Sequence, residues 1–194
     1  MSMSAIIPNE KTNENTKRKT MMNTNEKPMI NTKRKTMEKT MLNKGFVEKE
    51  LADNIFLYLL HNIEWNDGVL SRRNKKYRGG FTRKAFSYQM GGDEFIDEFL
   101  KSIVKKLGYE NRILFGIYMN YYRDENDYTP SHKHDTRQVV ISLGGKRNFQ
   151  LGSKIFPVEN GDLIEFGTAS HGIPRQQEKC NPRISIAFFY SAPF

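Results

Sequence analysis

Three of the chain's four histidines fall in two short segments that resemble the ends of metal-binding β-strands. His132 and His134 are separated by one residue, so both side chains project from the same face of an extended strand. His171 lies in a later segment and would arrive from an adjacent strand. Two histidines and a carboxylate around open positions are typical of non-haem Fe(II) oxygenases. The spacing therefore predicts an iron site.

The ligand that joins His132 and His171 has three possible interpretations, because His134 stands where a carboxylate is expected. Three imidazoles could bind the iron, or Asp135 could swing in with His134 behind it. Strand alternation places Asp135 on the opposite face from His132, although a frayed strand end weakens that objection. In the third interpretation the site is inactive and the protein is a binding relic. A neutral histidine in place of the carboxylate removes one negative charge, so the site becomes one unit more positive and should bind Fe(II) less tightly or at a shifted reduction potential.

A basic segment with interleaved aromatic residues precedes these histidines. Seven of the residues from Arg72 to Lys84 are basic and none is acidic. Cations for phosphates and flat rings for stacking bases are what contacts to single-stranded nucleic acid require. A solvated loop whose aromatics anchor to the core is an equal alternative. The predicted nucleic-acid-binding residues are Arg72, Arg73, Lys75, Lys76, Tyr77, Arg78, Arg83 and Lys84.

The elements that must position these residues follow from apolar periodicity. Helical stripes predict helices over 48–62 and 93–107, with Gly108 as a C-terminal stop. From residue 112 onward, short runs rich in β-branched and aromatic residues are separated by turn residues, which indicates strands. The predicted strands are 113–122, 139–143, 149–151, 154–156, 162–166 and 183–190. This order predicts an α+β domain whose helices support one sheet of a sandwich.

Charge and repeats separate a tail from a domain. Residues 1–44 carry ten Lys and Arg against four Glu, a net charge of +6, and repeat the heptapeptide Asn-Thr-Lys-Arg-Lys-Thr-Met from Asn15 and from Asn31. Such a segment has too little apolar surface to offset its ordering entropy, so we expect a disordered basic tail. It could be a solubilising extension or could attract nucleic acid. Residues 45–194 hold 21 Lys and Arg against 18 Asp and Glu and form the predicted domain.

The remaining composition bears on compartment and partners. Cys180 is the single cysteine, which excludes an internal disulfide and is consistent with a reducing, intracellular setting. No apolar run approaches the ~20 residues that a membrane span requires. The N-terminus lacks the compact apolar stretch of a signal peptide. We expect an intracellular monomer with no membrane partner.

A series of short motifs in the second half of the chain carries a family resemblance. In order these are Asn120-Tyr121-Tyr122-Arg123-Asp124, His132-Lys133-His134-Asp135, Ile141-Ser142-Leu143-Gly144, Arg147-Asn148-Phe149, Gly161-Asp162-Leu163, His171 and Arg183-Ile184-Ser185. With them, residues 45–190 resemble the AlkB-like 2-oxoglutarate/Fe(II)-dependent dioxygenases. The resemblance implies a double-stranded β-helix, or jelly roll, with Fe(II) and 2-oxoglutarate as cofactors.

The resemblance also implies roles for individual residues. It implies that His132, the residue at 134 (His134) and His171 bind the iron, with Asp135 beside them. It places Asn120, Tyr122, Arg183 and Ser185 at 2-oxoglutarate, where the Arg183 guanidinium would pair with the distal carboxylate.

Three positions depart from the family pattern on the last strand. Ser185 replaces an asparagine, Ala187 a threonine and Phe189 a second arginine. Part of the family's co-substrate network is therefore missing.

The implied activity is oxidative demethylation of alkylated bases in DNA or RNA. The basic segment would form a lid over a single-stranded or flipped-out base. Arg147 and Asp135 are candidates for orienting the substrate or the ligands. Two rival functions remain: a 2-oxoglutarate hydroxylase acting on a protein or small molecule, and a non-catalytic nucleic-acid-binding relic with a degenerate iron site.

Overall fold

Two antiparallel β-sheets and two helices form the framework that carries the histidines. The structure is a computed structural model and describes residues 40–67 and 83–191. The elements are β1 (Met41–Asn43), α1 (Lys49–Asn62), β2 (Asn66–Asp67), β3 (Lys84–Tyr88), α2 (Glu94–Leu107), β4 (Leu114–Tyr122), β5 (Thr129–His132), β6 (Arg137–Gly144), β7 (Arg147–Leu151), β8 (Lys154–Val158), β9 (Leu163–Phe166), β10 (His171–Ile173) and β11 (Arg183–Tyr190).

The strand order is that of a sandwich of two sheets. The seven-stranded sheet runs β1-β9-β6-β11-β4-β3-β2, and the four-stranded sheet runs β5-β10-β7-β8. Six of the nine neighbouring strand pairs are not consecutive in the chain, so chain segments cross repeatedly between the sheets. This arrangement confirms the predicted α+β class and jelly roll.

Alternation along β11 divides its side chains between two interiors. Ile184, Ile186 and Phe188 pack with buried residues of both helices. Ala187, on the opposite face, packs in the second apolar cluster with residues of the smaller sheet, such as Phe149. Since side chains alternate across a strand, the helices cover the outer face of the large sheet. The inner face of that sheet is left to form a cavity with the smaller one.

Both predicted helices are present, and the second has the ends that its sequence predicts. The Asp93 side chain accepts a hydrogen bond of 2.9 Å from the Ile96 amide, which satisfies a free N–H group at the start of α2. Gly108 ends the helix in a left-handed conformation with φ 67°. Neither helix in the described ranges has the length and apolar character needed to cross a membrane.

The domain begins earlier than the sequence indicates. β1 falls within the segment assigned to the tail, yet it pairs with β9 from Met41↔Glu165 to Asn43↔Leu163. The adjoining Lys44 Nζ donates to the Asp162 carboxylate at 2.7 Å. Three residues are too few to show the alternation of a strand in the sequence. β1 is a strand because it pairs with β9. Residues 1–39 of the expected tail lie outside the described residues.

Removing the N-cap of α2 should destabilise the domain measurably. We expect Asp93→Ala to lower the free energy of unfolding by ~1–2 kcal/mol, because the Ile96 amide loses its partner. Asp93→Asn should retain most of the stability, since asparagine caps equally well. Urea unfolding followed by circular dichroism measures both. Equal losses in the two variants would show that capping is not the stabilising interaction.

Candidate metal centre and its cavity

Strand pairing brings His132 and His171 face to face. β5 and β10 are antiparallel with His171 opposite His132, and the two ring centroids are 4.4 Å apart. Gly172 permits this approach, because a Cβ there would lie 2.7 Å from the Thr129 carbonyl oxygen. That distance is far inside van der Waals contact, so a side chain at 172 would push the strands apart.

His134 completes the cluster from the segment that follows β5. Its ring centroid lies 4.9 Å from that of His132 and 5.5 Å from that of His171. One potential ligand atom from each of the three residues lies within 4.8 Å of the others, a group that could hold a metal ion. Asp135 lines the same cavity but is exposed and is not a member of this group. The structure therefore brings the three imidazoles together and leaves the carboxylate outside.

Backbone carbonyls fix two of the imidazole tautomers. His132 Nδ1 lies 2.8 Å from the Pro130 carbonyl oxygen, and His171 Nδ1 lies 3.0 Å from that of Ala169. A carbonyl oxygen only accepts, so both Nδ1 atoms carry hydrogen and both Nε2 atoms keep a lone pair. This is the form in which histidine binds a metal.

Burial keeps the three rings neutral. It lowers the pKa of His171 to about 4. Burial, together with the nearby His132 ring, lowers the pKa of His134 to about 4. The pKa of His132 is lowered for the same reason, against the opposing effect of its bond to Pro130. Three neutral imidazoles are deprotonated ligands that need not release a proton before binding a cation.

The cluster faces a cavity of about 640 Å³ between the sheets. Cross-strand register arranges its floor in rows, since Ser185 pairs with Asn120 and Ser142, and Phe189 pairs with Gly116 and Gln138. The floor is polar toward Arg183 and becomes apolar and aromatic toward Phe189. His134 sits toward the aromatic end, its ring 4.9 Å from that of Phe189.

Arg183 is a buried cation at the polar end of this cavity. Arg183 is only 1% exposed, and its Nη2 donates to Ser142 Oγ at 2.8 Å. Nε and Nη1 are buried and lack hydrogen-bond partners among the described residues. Burial lowers the pKa to about 10, which still leaves the group protonated at neutral pH. A buried charge with unused donors is costly, so an anion entering the cavity would relieve it.

The other residues expected at 2-oxoglutarate lie beside Arg183 on the cavity wall. Tyr122 shares a 2.7 Å hydrogen bond with Thr129, and its ring lies 5.2 Å from the Arg183 guanidinium carbon. The Asn120 amide contacts Ser185 Oγ at 3.5 Å, and its oxygen accepts from Arg83 Nε at 2.7 Å. The structure thus gathers all four of these residues at one end.

Two of the eight predicted nucleic-acid-binding residues lie in the described chain. Arg83 lines the cavity. Lys84 instead begins β3, and its Nζ forms an ion pair with Asp67. Arg72, Arg73, Lys75, Lys76, Tyr77 and Arg78 lie outside the described residues.

Arg147, a candidate for orienting the substrate or the ligands, lies away from the cavity. It is fully buried, and its Nη1 donates to the carbonyl oxygens of Lys146 and Asn181 while Nη2 donates to that of Asp124. It is absent from the cavity wall. Arg147 therefore joins loops through Nη1 and Nη2, and the structure lends no support to the expectation that it orients the substrate.

The cavity residues that the sequence does not predict include Phe115, Tyr118, Thr129, Thr136 and Gln138. The one available signal was Gln138, a polar residue at the start of an apolar run. Nothing in the sequence indicates that Phe115 and Tyr118 reach the cavity, because that depends on the register of β4 against β11.

The comparisons with known proteins concern the fold. No protein-family model matches the chain, and no curated protein does. A Pseudomonas putida prolyl-4-hydroxylase matches with TM-score 0.58 at 15% identity, covering 79% of this chain and 92% of that one. The non-haem α-ketoglutarate-dependent epimerase SnoN from nogalamycin biosynthesis matches with TM-score 0.59 at 12% identity, covering 79% and 78%. OsALKBH1 matches with TM-score 0.54 at 14% identity, covering 77% and 97%. These likenesses establish a shared jelly-roll fold.

Substitutions at neighbouring positions distinguish the possible ligand sets. We expect His134→Ala to weaken divalent metal binding by roughly tenfold or more, because one of three imidazoles is lost. Asp135→Ala, the matched neighbour, should leave the affinity unchanged. Anaerobic calorimetric titration with Fe(II) measures both. A loss confined to Asp135→Ala would assign the third ligand to the carboxylate.

Proposed function

We propose that the protein is an Fe(II)- and 2-oxoglutarate-dependent dioxygenase that demethylates alkylated bases in DNA or RNA. The observation that carries the proposal is the pairing, in one cavity, of three convergent imidazoles with a buried guanidinium that has unused donors at Nε and Nη1. The imidazoles match the chemistry of Fe(II), and the guanidinium matches that of a carboxylate. Few other ligands would satisfy both ends of the cavity together.

His132, His134 and His171 would hold the iron, and Arg183 would bind the distal carboxylate of 2-oxoglutarate. Iron and 2-oxoglutarate together supply the oxidation of a substrate C–H bond by O2, which for an N-methyl group ends in formaldehyde and the unmethylated base. Asp135 remains the alternative third ligand of this proposal.

The protein's own residues would orient 2-oxoglutarate and shield the histidine cluster from water. The planar fork of Arg183 offers two N–H groups in the geometry that a carboxylate accepts. Ser142 holds the guanidinium at 2.8 Å, and the Tyr122 ring packs near it, which preserves that orientation. The rings of Phe166 and Phe149 lie 4.6 and 6.4 Å from His171 and keep water from that side of the cluster.

The departure at Phe189 changes the substrate side of the site. The ring packs against His134, and also against Tyr118 with 5.5 Å between centroids. An apolar surface therefore occupies the place where the family has a second arginine. It suits a flat ring better than an anion, which supports a base as the substrate.

Charge supports a nucleic-acid substrate over the protein hydroxylation that the prolyl-4-hydroxylase's name describes. The chain has a net charge of +9, and Arg83 and Lys133 stand at the cavity. Cations near the opening attract phosphates. Because one fold supports many substrates, hydroxylation of a protein or small molecule is the rival outcome of the assay below.

Arg183 allows a test in which ligand binding and stability move in different directions. We expect Arg183→Met to weaken 2-oxoglutarate binding by about 2–5 kcal/mol, since the carboxylate loses its buried partner. The ligand-free protein should be equally or more stable, because methionine removes an uncompensated buried charge. Calorimetry with 2-oxoglutarate and thermal melting measure the two effects.

The control for this experiment is Arg175→Met, which removes an exposed arginine that stacks on Tyr128. It should alter neither quantity. Unchanged 2-oxoglutarate affinity in Arg183→Met would exclude Arg183 as the anchor.

The activity itself is tested by turnover with matched substrates. After anaerobic loading with Fe(II), we expect succinate and formaldehyde to form with a methylated single-stranded oligonucleotide and not with its unmethylated counterpart, because only the former offers the N-methyl group. Mass spectrometry of both products measures this. Succinate formation indifferent to nucleic acid would favour the hydroxylase. Retained oligonucleotide binding with no turnover would favour the relic.

A further inference from the structure

The cavity has a second polar feature, at the end opposite Arg183. Arg183 and Phe189 lie on the same face of β11, so roughly 20 Å of strand separates them. The row at the far end places Gln138 between Phe166 and Phe189. Neither the three histidines nor the co-substrate residues account for this end.

Gln138 is buried without satisfying its amide. The residue is 1% exposed and lines the cavity, and its Nε2 has no hydrogen-bond partner among the described residues. Thr136 Oγ1, also on the cavity wall, is in the same condition. Buried polar groups are nearly always paired, because an unpaired one loses its bonds to water without replacement. An unpaired amide in a cavity wall therefore points to a ligand that completes it.

Aromatic rings surround the opening near Gln138. Phe115 and Tyr118 are 60% and 50% exposed and both line the cavity. Tyr118 meets the Phe189 ring edge to face at 5.5 Å. Large rings held in water beside a cavity are unfavourable unless something covers them.

A β-bulge directs Phe115 toward this opening. On β11, Phe189 pairs with Gly116 and Tyr190 pairs with Leu114, so Phe115 is an extra residue between them. Regular alternation would have placed Phe115 on the helix side of the sheet, opposite to Gly116. Bulges occur near active sites, where they redirect a side chain. Gly116 beside it has no side chain, which leaves room over the floor.

We infer that this end of the cavity is a subsite for one planar heteroaromatic ring, recognised by Gln138 along its polar edge. The ring packs against Phe189 and is covered by Phe115 and Tyr118. A glutamine amide offers both a donor and an acceptor, as recognition of a base edge requires. The inference rests on the proposed function, which makes the ring a nucleobase, and it assigns specificity to residues outside the metal and co-substrate sites.

The test uses short single strands that are abasic except at one central nucleotide. That nucleotide carries thymine, its nonpolar isostere difluorotoluene, or no base. We expect the full-length protein to bind the thymine strand roughly tenfold more tightly than the isostere strand, because the isostere cannot bond to the amide. Both ring-bearing strands should bind more tightly than the abasic strand, since stacking requires a ring. Fluorescence anisotropy measures each affinity.

Two variants separate the hydrogen bond from the stacking. Gln138→Leu should equalise the thymine and isostere strands, and its melting temperature should be unchanged or higher because an unpaired buried amide is gone. Phe115→Leu should bring both ring-bearing strands toward the abasic one. Phe115 is exposed, so that variant keeps its fold. Phe95→Leu is the control, because Phe95 is an exposed phenylalanine on α2 that packs on Tyr58.

The outcomes separate this inference from the proposed function. Thymine preference that persists in Gln138→Leu, or ring preference that persists in Phe115→Leu, overturns the subsite and leaves demethylation intact. Absence of any ring preference in the unsubstituted protein also overturns it. Demethylation fails independently, through the absence of formaldehyde from the methylated strand. Discrimination lost in the cavity variants and kept in Phe95→Leu supports the subsite.

Discussion

The pairing of β5 with β10 is the constraint on which the rest of the site depends. It sets His171 opposite His132, with 4.4 Å between ring centroids, and Gly172 allows the backbones to approach. Both strands are short and sit in the smaller sheet, so their register is imposed by their neighbours. β10 is held on its other side by β7, where His171 pairs with Leu151. The metal cluster is thus a product of sheet assembly, and the carbonyl bonds at Nδ1 then orient two of its rings.

The cavity floor changes from polar to aromatic along β11. At one end the buried Arg183 cation has two N–H donor atoms without partners. At the other end Phe189 offers an apolar face and Gln138 an unpaired amide nitrogen. Two of the neutral imidazoles lie beside the aromatic end, with His134 4.9 Å from Phe189 and His171 4.6 Å from Phe166. An anion is favoured at the first end by charge, and a flat polar ring at the second by stacking and hydrogen bonding. The cation and the aromatic row are therefore separated along one strand, as expected if the proposed co-substrate and substrate bind at different ends of the cavity.

Features of the fold and site that depend on neighbouring residues can be predicted from the sequence, whereas those that depend on contacts between distant segments cannot. Apolar periodicity and caps are local, so α1, α2 and Gly108 could be read directly, as could the long strand β11. β1 could not, and β5 and β10 were indicated only by their histidines, since each of these strands has few residues and exists through its partners. Arg183 and Arg147 look alike in sequence, yet one faces the cavity and the other donates to three carbonyls. The redirected Phe115 depends on a single register shift, which no local pattern encodes.

The central claim is that three imidazoles, and not two with a carboxylate, form the protein's contribution to one metal ion. X-ray absorption at the iron edge of the Fe(II)-loaded protein tests it most directly, because imidazole rings give a distinctive multiple-scattering signal whose strength reports their number. We predict a signal from three rings that weakens in His134→Ala and is unaltered in Asp135→Ala. A signal from two rings that is insensitive to His134→Ala would contradict it.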